Sequence, residues 1–168
     1  MSAPAITELP VRGTYRIVAT RSECTFRAHG LFGLPVRGTM PVRSGMVTIR
    51  DGRAHVTADV DPEGLATGIR RRDEDLRSPR LLDVATFRTI HFDGVLGDGL
   101  DRVHGELTVH GETVPTALAV REIRRHPARI DVVATARVDR HDFGVTAFRA
   151  IIQRHVDVEL TISLVAED

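Results

Sequence analysis

From Thr14 onward, apolar and polar residues alternate in many short runs. A period of two is the pattern of strands with one buried face. Phe26, Ala28 and Gly30 point one way, and Thr25, Arg27 and His29 the other. Val56, Ala58 and Val60 repeat the parity, as do Val103, Leu107 and Val109, with Gly105 in the inward slot. The clearest runs are Ile130, Val132, Ala134, Ala136 and Val138, then Val156, Val158, Leu160, Ile162 and Leu164. Turn signals at Gly33 to Pro35, Asp51-Gly52, Gly97 to Asp101, Gly111 and His126-Pro127 separate the runs closely enough for hairpins. About eight antiparallel strands follow, and long amphipathic strands without long helices between them close most naturally into a barrel, which removes exposed edges. A sandwich is the competing architecture. Near residues 67–83 the alternation stops: Arg70 to Arg77 is rich in helix formers, and Ser78-Pro79 reads as the start of a second short turn carrying Leu81 and Leu82. This segment is a helical lid or plug.

A chain of 168 residues suits one core. Residues 13–168 are expected to form the barrel domain, with 1–12 a flexible arm. Acidic and basic residues balance at a net charge of zero, so no broad positive field gathers phosphates and nucleic acid is not an expected partner. The basic residues are all arginine. One cysteine, Cys24, excludes an internal disulfide and a multi-cysteine zinc site. The opening segment has neither the basic end nor the apolar run of a secretory signal, so a cytoplasmic location is expected. No stretch approaches the roughly 18 consecutive apolar residues of a membrane span.

Eight histidines raise a metal hypothesis. Parity opposes it, because His29, His55, His91, His104, His110 and His155 fall on the polar faces, scattered around the outside of a barrel. No metal and no cofactor are expected. The run Arg70-Arg71-Arg72 could meet a phosphate head group. Its bland alternative is a solvated helix face, with Asp73 and Arg77 in the favourable i,i+4 order. Arg140-His141-Asp142-Phe143-Gly144 has kinase-like composition without a phosphate-binding loop before it, and no serine sits in a nucleophile elbow. Cys24 runs in phase with Phe26 and reads as buried. The large apolar side chains Phe26, Phe32, Met40, Leu76, Leu81, Leu82, Phe87, Phe92, Phe143 and Phe148 are the candidates to line or close the interior. Alternation alone does not tell a ligand cavity from a filled core.

Several motifs in order resemble the YceI-like family. They are Tyr15-x-Ile17 with Ser22-x-Cys24-x-Phe26-x-x-His29; Thr67-Gly68, Arg72-Asp73-x-x-Leu76 and Leu81-Leu82-Asp83; Phe87-x-x-Ile90-x-Phe92; Gly105-x-Leu107-Thr108-x-x-Gly111; and Arg140-x-Asp142-Phe143-Gly144. The chain departs from the family at Asp75 and Arg88, where members commonly carry His and Pro. The resemblance implies a lipocalin-like antiparallel barrel that binds a long-chain isoprenoid lipid, of polyprenyl phosphate or isoprenoid quinone type, in an elongated apolar cavity. It also implies a homodimer and no catalytic residue. On that basis the ten apolar residues become cavity wall or lid, and Arg70, Arg71 and Arg72 head-group contacts. Two alternatives stand beside it: an enzyme using Asp73, Asp142 or a histidine on a hydrophobic substrate in the same cavity, or a filled-core interaction module.

Overall fold

The computed structural model describes residues 5–6, 10, 12–30, 33–97, 99, 101–148 and 152–167. The strands are β1 (Ala5–Ile6), β2 (Gly13–Ile17), β3 (Glu23–His29), β4 (Pro35–Arg50), β5 (Arg53–Val60), β6 (Ile90–Leu96), β7 (Arg102–Val109), β8 (Glu112–Arg125), β9 (Ile130–Asp139) and β10 (His155–Ala166). Among the described residues a single α-helix, α1 (Arg70–Arg77), lies between β5 and β6. Strands β4 to β10 pair antiparallel, each with the next. β2 and β3 then act as one broken stave. β2 pairs with the later half of β4 and β3 with its earlier half, and both return to β10, closing an eight-stave antiparallel barrel. Ala5 and Ile6 run parallel to Glu122 and Ile123 on β8.

Two hairpins show the turn chemistry behind the closure. Asp51-Gly52 and His110-Gly111 both adopt positive φ at both positions, and Arg50 pairs with Arg53 and Val109 with Glu112. Such mirror-image two-residue turns match the twist of the flanking strands. His110 therefore sits in a turn, not on a strand face. Its ring lies 4.5 Å from that of Phe87.

The barrel's two ends differ. One carries short links at 51–52, 97–101 and 126–129, and behind them the interior is filled by Ile17, Ile49, Ile123, Ile130 and Leu164, each no more than 5 % exposed. The other carries the two long connections, 61–89 and 140–154. A second apolar cluster of Leu81, Phe143 and Val145 gathers there, with Leu76 and Phe148 against it.

Helix α1 is too short to persist alone and is held by tertiary contacts. Asp73, buried, accepts hydrogen bonds from the Thr67 amide at 2.9 Å and the Thr67 hydroxyl at 2.5 Å. Arg72 donates to the Thr67 hydroxyl and carbonyl, and Arg77 to the Leu65 carbonyl. Upstream, Ala66 and Thr39 exchange backbone hydrogen bonds, which ties the segment to β4. Ser78 does not begin a second helix: its hydroxyl donates to the Asp75 carbonyl and closes the first. Residues 78–87 continue as successive turns bonded back to Leu76, Arg77, Ser78 and Asp83.

Candidate ligand cavity

Inward-facing residues of β3 to β10, with the two long connections, enclose an apolar cavity of about 200 Å³. Strand parity dictates its wall. Cys24, Phe26 and Ala28 on β3 face inward, as do Leu107 and Val109 on β7, Ala136 and Val138 on β9, and Val156, Val158 and Leu160 on β10. Leu76 of α1, with Leu81, Leu82, Phe143, Val145 and Ile152, covers the mouth end. A second apolar void of about 60 Å³ lies toward the filled end. A larger concavity, about 920 Å³, is open and lies on the outer strand faces. Arg27, Arg37, Arg102, Arg121 and Arg137 line it together with threonines, two acids and small apolar residues, a mixed and solvent-open surface unlike the apolar wall of the inner cavity.

Among the sequence-designated residues, Phe26, Met40, Leu76, Leu81, Leu82, Phe92 and Phe143 converge on the cavity. Phe87 and Phe148 do not line it. Phe87 packs on His110 and against Gly111 at the β7–β8 turn. Phe148 adopts a positive φ and receives the Arg80 guanidinium over its ring at 4.6 Å. Both lie in irregular segments, where no period tells which way a side chain points. Phe32 is outside the described residues.

The three arginines proposed for a head group separate, because consecutive helical residues point about 100° apart. Arg70 is 94 % exposed in its side chain and pairs with Glu74, Arg72 is spent on Thr67, and Arg71 is exposed. The arginine that does border the cavity is Arg140. It is 8 % exposed and donates to the carbonyls of Val145, Ala147, Ile152 and Gln153 at 2.7 to 3.2 Å. One guanidinium thus gathers the connection that covers the cavity. Gly144, left-handed at φ 75°, lets the chain reverse after Phe143. At the base of the same connection Asp139 accepts from the His141 amide and from Arg154. The Arg154 hydrogen bond and charge hold the Asp139 carboxyl below its ordinary value.

No histidine and no carboxylate is among the described residues lining the cavity. Asp73 is engaged by Thr67 outside it, and Asp142 is exposed. His55 meets Asp93 at 2.7 Å and His91 meets Asp59 on the outer faces of β5 and β6. Among the described residues no group of three or more potential ligands is arranged to hold a metal ion. The Cys24 thiol does face the lumen. Burial, with Glu23 beside it, pushes its pKa up to about 12, which leaves it protonated and non-nucleophilic near neutrality.

No helix among the described residues is long and apolar enough to cross a membrane. The architecture is shared with solved structures. Burkholderia cenocepacia BcnA superposes with a TM-score of 0.71 at 15 % identity, covering 88 % of this chain and 98 % of that one. A polyisoprenoid binding domain from Saccharophagus degradans, implicated in plant cell wall breakdown, gives a TM-score of 0.69 at 19 % identity, covering 91 % and 98 %. At these identities the likeness is one of fold. UPF0312 proteins of Vibrio cholerae serotype O1 and Vibrio vulnificus are 29 % identical over 116 residues, 64 % of this chain. The chain spans about 60 % of the length of these curated relatives. The model of the YceI-like domain matches residues 15–166, nearly the whole barrel, and the chain belongs to that family.

Proposed function

We propose that this protein binds and carries the hydrocarbon chain of an isoprenoid lipid inside the barrel and performs no chemistry on it. The observation that carries this reading is the internal cavity of about 200 Å³ between the filled end and the long connections, walled almost wholly by aliphatic and aromatic side chains. Burial of each CH₂ contributes about 0.8 kcal/mol, so a prenyl chain needs no strong polar anchor. Family membership and the likeness to a polyisoprenoid binding domain support the choice of isoprenoid. The absence of an acid–base pair from the described wall favours binding over catalysis. We assign the polar head, a phosphate or a quinone ring, to the mouth that Leu76 of α1 helps to cover, and to Arg71 of the same helix, whose exposed side chain makes no hydrogen bond or ion pair to another described residue.

Ala136 points into the cavity from β9. Ala136→Phe is expected to fill the lumen with little strain, since the new ring enters space already open. Displacement of the fluorescent probe N-phenyl-1-naphthylamine by a prenyl alcohol should weaken at least tenfold, while the urea midpoint stays near that of the native protein. Undiminished prenol binding in a folded Ala136→Phe protein would remove the lumen as the binding site.

A further inference from the structure

The cavity and the void beyond it are separated within the barrel. Ala58, Phe92, Leu118 and Leu160 line both. β6 and β10 lie four staves apart in a ring of eight, so Phe92 and Leu160 stand on opposite walls. Phe92 is 5 % exposed, and its ring lies over Gly94, where a Cβ would come within 2.8 Å of its Cζ. Gly94 itself pairs with Gly105, the inward-slot glycine of β7. Gly94, without a side chain, leaves the room in which the Phe92 ring packs, and the ring forms part of the boundary between the two voids.

Volume sets what can enter above this constriction. Ligand pockets usually run to roughly 300–1,000 Å³, and this cavity holds about 200 Å³. A cavity of roughly 150 Å³ takes one benzene ring, so this one takes on the order of eight to ten carbons. That is at most two isoprene units.

We propose that Phe92, with Leu160 across from it, is a stop that limits the inserted chain to two isoprene units and thereby sets the protein's chain-length specificity. The inference rests on the isoprenoid-binding reading and deepens it. Units beyond the second remain outside the cavity and add little to affinity. Removing the ring joins the two voids and lets a third unit enter.

The test measures probe displacement by prenyl alcohols of two, three and four isoprene units, below their own aggregation concentrations. With the native protein, affinity should rise to the two-unit alcohol and then stay within about threefold. Phe92→Ala should move the plateau to three units, with a gain of roughly tenfold or more from the second to the third. Leu160→Ala opens the same constriction from the other wall and serves if Phe92→Ala does not fold. Leu96→Ala enlarges only the lower void and should leave the plateau at two units. A steady climb through three and four units in the native protein, or a plateau unmoved by both Phe92→Ala and Leu160→Ala, would overturn the stop while leaving isoprenoid binding intact. Failure of every alcohol to bind the native protein would overturn both.

Discussion

Arg140→Ala is expected to lower the unfolding free energy by about 4 kcal/mol, read from the shift of the urea midpoint at unchanged slope. The reasoning starts from a charged group that is 8 % exposed and donates to four main-chain carbonyls of one connection. Hydrogen bonds to charged groups contribute roughly 1.5–3 kcal/mol each, and carbonyls left without donors carry a desolvation cost. The total stays below the simple sum because the freed connection regains water. The functional consequence is the sharper one. Val145 and Ile152 line the cavity from this connection, so the same substitution should speed ligand release. Arg140→Lys should recover only part of the loss, since an ammonium has three donors and lacks the planar fork. A lysine variant as stable as the native protein would show that charge alone, not the guanidinium geometry, holds the connection.

Phe143→Ala is expected to cost about 3–5 kcal/mol, the range for truncating a fully buried aromatic. Phe143 is 3 % exposed, packs in one cluster with Leu81 and Val145, and forms part of the cavity's cover. Its position follows from sequence chemistry: Asp139 and Gly144 bracket a short turn that delivers the ring inward. Phe87→Ala is the comparison. Phe87 is half-buried on the outer side of the β7–β8 turn, so its loss should cost less and leave probe retention unchanged. Equal effects of the two substitutions on retention would contradict the wall assignment.

The barrel was legible because one periodicity governs it. Each alternating run read from the sequence, from Cys24 and Phe26 to Val158 and Leu160, has its apolar face on the lumen. Inward glycines were legible in the same way, and Gly105 does occupy an inward slot, opposite Gly94. The mouth was harder to read. Its residues lie in turns and one short helix, where neither period applies, and there Phe87 packs on His110 while Phe148 packs behind the cover, on the cluster of Leu81, Phe143 and Val145, without lining the cavity. Arg140 was missed as a cavity residue because a charged side chain reads as a surface one. Its burial depends on four carbonyls that only the folded connection 145–153 supplies. The arginine run divides for a simpler reason: residues adjacent in a helix do not share a face, so Arg70 pairs with Glu74, Arg72 with Thr67, and Arg71 is left exposed.

The central claim is that the lumen holds a hydrocarbon chain, and native mass spectrometry of the purified chain tests it most directly. The protein, incubated with vesicles containing a polyprenyl phosphate or prenyl alcohol and then separated from them, should carry a single lipid adduct. That adduct should disappear on organic extraction and be reduced in Ala136→Phe. A native chain that stays bare after the incubation, or an adduct as abundant in the filled-lumen variant as in the native protein, would contradict the account.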